Sequence, residues 1–143
     1  MERLKSSILD SFSQVDREQA DALLAEEAAK SRRKIVVLDD DPTGVQTVHG
    51  VSVYTDWSVE SIREGFAEEN KLFFILTNSR GFTVEQTTRA HREIGERVDQ
   101  VAKETGWDYL IISRGDSTLR GHYPLETELL KEEAEKANGW SMD

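Results

Sequence analysis

The chain has 143 residues, a formal net charge of −10, a pI near 4.8 and an apolar fraction of 37%, enough length for one domain that buries about 68 to 70% of its unfolded surface. Charge of this sign excludes a surface of clustered Lys and Arg built for phosphate backbones, so nucleic acid is not an expected partner. No apolar run approaches the ~18 residues of a membrane span, the start MERLKSSILDSF lacks a signal-peptide pattern, and cysteine is absent; no membrane partner, disulfide or thiolate metal site is expected, and a cytoplasmic protein is.

Residues 1–33 read as a helical arm, with Leu4, Ile8, Leu9 and Phe12 on one stripe and then Asp16 and Gln19 as a capping box ahead of Ala20, Leu23, Leu24 and Ala28. Residues 34–143 read as an α/β domain. Short apolar runs at Ile35–Leu38, Val51–Tyr54, Leu72–Leu76 and Tyr109–Ile112 predict strands. Between them, Val59, Ile62 and Phe66 predict a short helix, and Val84, His91, Ile94, Val98 and Val101 a longer one opened by a Thr83/Gln86 capping box. A last helix begins near Pro124, carries Leu125, Leu129, Leu130, Ala134 and Ala137, and closes at Asn138-Gly139. Alternating strands and helices imply a mostly parallel sheet with right-handed crossovers. Another strand would come next in such an alternation, so the chain is expected to be the first part of a longer protein. His91 reads as a partly buried helix residue, and His49 and His122 as loop residues.

In an open parallel sheet, ligands bind beyond the carboxyl ends of the strands. Three polar loops are expected there: DDDPTGVQTVHG, TNSRGFT and SRGDSTLRGHYP. They would gather Asp39, Asp40, Asp41, Asp116, Arg80, Arg114 and Arg120 on one rim with Thr43, Ser79, Ser117 and Thr118, and Gly44 and Gly121 would let backbone come close to a ligand. Guanidinium groups clamp carboxylates or phosphates, and carboxylates and hydroxyls bond sugar hydroxyls. The implied ligand is small, polyhydroxylated and anionic.

Asp39-Asp40-Asp41-Pro42-Thr43 resembles the Asp-x-Asp-x-Thr motif of the haloacid dehalogenase superfamily of phosphatases, which would make Asp39 a nucleophile and Asp41 a general acid beside magnesium. That resemblance runs short downstream. The lysine it requires between its later motifs could only be Lys103, inside a helix, and Arg120 and Gly121 stand where a second acid belongs.

A second resemblance rests on Asp40-Asp41-Pro42-Thr43-Gly44, Thr77-Asn78-Ser79-Arg80 and, above all, Asp116-Ser117-Thr118-Leu119-Arg120-Gly121. In order and spacing these are similar to the N-terminal domain of the four-carbon acid sugar kinases, over residues 34–138. The resemblance implies a three-layer α/β/α Rossmann-like domain that holds a tetronate while a separate C-terminal domain binds ATP. It further implies Asp40 and Asp41 as the catalytic pair, with magnesium arriving with ATP near them. Thr43, Gly44, Ser79, Arg80, Arg114, Asp116, Ser117, Thr118, Arg120 and Gly121 would contact substrate, with Arg80 and Arg120 clamping its carboxylate. Arg114 stands where the family often has lysine. On this reading Asp39 is a strand-end residue, and the 143-residue chain alone binds substrate without turning it over. A non-catalytic sugar-acid-binding module is a further alternative, and oligomeric state is left open.

Overall fold

The computed structural model describes residues 5–13, 15–116, 120–139 and 141. Two compact units are present, Met1–Ser31 and Arg32–Asp143. In the first, Ser6–Ser11 form a 3-10 helix, and α1 (Arg17–Lys30) follows an N-cap at Asp16, whose carboxylate accepts from the Gln19 backbone N–H. The arm is thus helical, but its first segment takes the tighter 3-10 form, and Leu4 of the expected stripe lies outside the described residues. No residue of α1 is buried. Leu23 and Leu24 are exposed, so the pattern that marks the helix does not make it part of a core.

Among its described residues the second unit has four strands and three α-helices: β1 (Arg33–Asp39), β2 (Val53–Tyr54), α2 (Val59–Ala67), β3 (Leu72–Leu76), α3 (Val84–Thr105), β4 (Asp108–Arg114) and α4 (Leu125–Asn138). The sheet is parallel throughout, in the order β2-β3-β1-β4. The helix boundaries follow local chemistry. Thr83 and Gln86 close a reciprocal capping box on α3, and Gly106 and Gly139 end α3 and α4 in the left-handed conformation.

Alternation along the strands divides the sheet into two faces. Val36 and Leu38 of β1, with Phe73 and Ile75 of β3, meet Ile62 and Phe66 of α2, Ile94, Val98 and Val101 of α3, and Leu130 of α4 in one core. All three helices therefore share one face. The opposite face carries Val37, Phe74, Leu110 and Ile112, and the connection from β1 to β2, with its 3-10 turn at Gly44–Thr47, comes over its upper end at Asp39. This is the expected three-layer α/β/α arrangement, with one outer layer reduced to that connection among the described residues.

The lower end of the sheet is closed by Lys34, which is fully buried. Its Nζ donates to the carbonyl oxygens of Glu68 and Asn70, each at 2.6 Å, so the ammonium caps the end of α2. The Trp107 ring lies against three cations, with Lys71 Nζ at 4.6 Å, Lys34 Nζ at 5.2 Å and the Arg32 guanidinium at 5.6 Å from its centroid. Lys34→Met keeps the apolar stem but strands the carbonyls it serves. The expected loss is about 1 to 3 kcal/mol of unfolding free energy, read as a lower urea midpoint at constant slope; an unchanged midpoint would show that the lysine head contributes nothing.

Candidate functional site

Asp39 of β1 is in register with Leu76 of β3 and Arg114 of β4. The loops after these strands consequently open on one rim, and backbone bonds join them at their roots: Asp40 N–H donates to Arg114 O (3.2 Å), Thr77 N–H to Asp39 O (2.8 Å) and Arg80 N–H to Asp40 O (3.4 Å).

The side chain of Asp40 completes the junction. Its Oδ2 accepts from Arg80 Nε at 3.0 Å and from the Asp116 backbone N–H at 3.1 Å, and its Oδ1 accepts from Arg80 Nη2 at 2.8 Å. One buried carboxylate thereby ties together the three loops that carry the expected site. Arg80 reaches Asp41 as well, donating from Nη1 to Oδ2 at 2.9 Å. Asp41 Oδ1 in turn accepts from the Thr43 backbone N–H at 2.8 Å and from the Thr43 hydroxyl.

Electrostatics separate the three consecutive aspartates. Burial opposes ionisation of Asp40, but the bonds from Arg80 and from the Asp116 N–H outweigh it and hold the carboxyl below its ordinary range. Bonds from Thr43, with help from Arg80, hold Asp41 low. Asp39 goes the other way: burial pushes its carboxyl up. It is 1% exposed and its Oδ2 lacks a hydrogen-bond partner among the described residues, while Arg114 Nη1 stands 3.4 Å from its Oδ1. Gly44 seals it, since a Cβ on that residue would lie 1.7 Å from Asp39 Oδ2. A nucleophile so enclosed cannot reach a phosphate ester, and this geometry disfavours the phosphatase reading.

The remaining expected residues are placed unevenly. Arg120 is well exposed and is held through Nε and Nη2 by Asp116 Oδ2, at 2.9 and 2.7 Å. Arg114 is exposed at the rim. Ser79 is turned inward, 1% exposed, with its hydroxyl 2.9 Å from that of Thr77. Gly121 takes a positive φ of 87° just after Arg120. Ser117 and Thr118 lie outside the described residues. His122 Nε2 approaches Phe82 O at 2.8 Å, joining two of the loops.

A family model for a sugar-binding N-terminal domain matches residues 35–141. The chain belongs to that family. No curated protein and no solved structure matches it.

In this sugar-binding domain the rim supplies anionic acceptors for hydroxyls together with guanidinium donors. Among the described residues no group of three or more His, Cys, Asp or Glu side chains is placed to hold a metal ion, and Asp40 and Asp41 both bond Arg80. No described helix is long and apolar enough to cross a membrane.

Beneath the rim is a polar cleft lined by Asp40, Thr77, Ser79, His91, Ser113 and Glu126. Two of these were not expected there. His91 is 2% exposed, deeper than a partly buried helix residue, and burial lowers its pKa. Glu126 is 5% exposed. A signal for it did exist: Glu126, Leu129, Leu130 and Glu133 share the one buried stripe of α4, so two acids stand at core spacing.

Opposite pKa directions predict opposite effects of two neighbouring substitutions. Asp40→Asn should destabilise the fold at neutral pH, with the deficit closing as pH falls through the depressed folded pKa, below the ordinary aspartate range. Asp39→Asn should stabilise at neutral pH, and its gain should shrink as pH falls from above the raised folded pKa toward 3.8. Thermal melts of both variants across the acid range check this; parallel pH profiles would refute the assignment.

Proposed function

We propose that this domain is the sugar-acid-binding part of an ATP-dependent kinase acting on a four-carbon sugar acid. The observation that carries the reading is the Asp40 hub, which sets Asp41, Asp116, Arg80, Arg114 and Arg120 around one rim. Membership of the sugar-binding family supports the ligand class, and the Asp116–Gly121 motif supports the kinase.

The roles follow from how firmly each group is already held. Arg80 has donors on both Asp40 and Asp41, so its part is to fix those carboxylates; this replaces the expected carboxylate clamp at Arg80. Arg120 is exposed and engaged by a single carboxylate, so it can turn to the acid group of the ligand. Asp41 is nearer solvent than Asp40 and orients the attacking hydroxyl. Because its pKa is held low, it acts as a hydrogen-bond acceptor more than as a strong base. ATP would supply the phosphoryl group from a separate domain of the full-length protein, and aligning the hydroxyl while neutralising charge is the main work left for these residues.

Incubation of the full-length protein with ATP and D-erythronate or L-threonate is expected to give ADP and a phosphorylated acid. Absence of turnover on every tetronate stereoisomer would defeat the kinase reading. In the same protein, Arg120→Ala should weaken tetronate binding on the order of 10- to 100-fold, the value of a charge-assisted hydrogen-bond pair. Unaltered affinity by calorimetry would remove Arg120 from the clamp.

A further inference from the structure

We propose that Glu126 is a ligand-binding residue whose buried Oε1 accepts a hydrogen bond from a hydroxyl group of the bound sugar acid, behind the Asp40 hub. The inference rests on the sugar-acid reading above and adds to it a residue outside the three loop motifs.

Glu126 lies in the first turn of α4 and is 5% exposed, yet its Oε1 has no hydrogen-bond partner among the described residues. The other acid on the same stripe provides the contrast. Glu133 is equally buried, but Arg92 and Lys136 both pair with it. A buried acceptor left without a donor is a standing cost to the fold. Glu133 is answered as a structural acid should be, and Glu126 is not.

The surroundings specify what is missing. A Cβ built on Gly121 would lie 3.8 Å from Glu126 Oε1, 3.8 Å from the Asp116 carbonyl oxygen and 3.9 Å from Asp40 Oδ2. Three acceptor oxygens thus converge on the space that the glycine leaves. Asp40 Oδ2 already takes two donors, from Arg80 and from the Asp116 N–H, so the open demand falls on Glu126. His91 does not meet it in the neutral form that burial favours. Its Nδ1 is 2.9 Å from Thr87 O, which can only accept, so Nδ1 carries the hydrogen and the other ring nitrogen is an acceptor. The Thr87 hydroxyl does not meet it either, being itself buried without a partner.

Oε1 itself is sealed from solvent in this conformation. Half-buried Gly121, which presents no side chain, marks the side from which a ligand hydroxyl would approach Oε1. Ser113 and Arg114 also line the cleft, but neither donates to Oε1, so the acceptor is left for a molecule that brings a hydroxyl hydrogen. The carboxylate of the same molecule would be held apart from these oxygens, by Arg120 on the rim.

The test uses the 143-residue chain, as wild type and as Glu126→Gln, a near-isosteric change. In melts without ligand, Glu126→Gln is expected to raise Tm by about 2 to 8 °C, because a buried acceptor without a donor gives way to an amide that can itself donate to the acceptor oxygens around it. In calorimetry with D-erythronate and L-threonate it is expected to weaken binding about 10-fold or more. A lower Tm would make Glu126 a structural partner and overturn the inference, as would tetronate affinity equal to wild type. Wild-type binding of Mg²⁺ alone, abolished in Glu126→Gln, would also overturn it in favour of a cation. A wild-type chain that binds neither tetronate overturns the sugar-acid reading and this inference with it; loss confined to the variant supports both.

Discussion

The ion pair between Asp40 and Arg80 is the interaction on which the rim depends. Parallel strands place their carboxyl ends side by side, but the loops leaving them have no reason to stay together. Asp40 provides one, since a single carboxylate receives two donors from the loop after β3 and one from the loop after β4. The pair is largely withdrawn from solvent, where removing one partner leaves the other charge uncompensated. Its rigidity matters because a bound sugar must meet acceptors and guanidinium groups in a fixed relation.

β-strand alternation explains why three identical residues in a row do three different things. Leu38 and Asp40 belong to the helical face of the sheet, whereas Asp39 belongs to the opposite face, under Gly44. Asp41 has left the strand and folds back on Thr43 in a turn of its own. Asp40 is held ionised by donors, Asp41 by a local turn, and Asp39 is pressed toward its neutral form by burial. Adjacent aspartates therefore carry separate chemistries even though each opposes ionisation of its neighbour, Asp40 and Asp41 that of Asp39 and Asp41 that of Asp40.

The hydrophobic core and the rim are continuous through the cleft beneath Asp40. Thr77 and Ser79 follow β3 in the polar loop, whereas His91 and Glu126 are polar groups on helix faces where the pattern calls for apolar ones. Such local conflicts with the apolar pattern concentrate at functional sites. Here they lie directly under the loops that the motifs single out.

Much of the fold was legible in the sequence. β3 spans the predicted residues, α2, α3 and α4 begin and end at their caps, and the parallel sheet follows from strand–helix alternation, because these features depend on periodicity and on residues a few positions apart. β2 is shorter than its apolar run, and the first segment of the arm is 3-10, because the apolar stripe that marks a helix does not decide its hydrogen-bond pitch. The loops of the site were legible as motifs. What Arg80 does was not: a bidentate bond to an aspartate forty residues away is decided by register between β1 and β3, and it turns an expected substrate clamp into the support of the carboxylates. Glu126 was likewise hidden within an ordinary helix. The sequence by itself determined which residue types reach the rim; only the tertiary structure decided which of them are already answered and which are left to answer a ligand, because hydrogen-bond satisfaction belongs to neighbours in space.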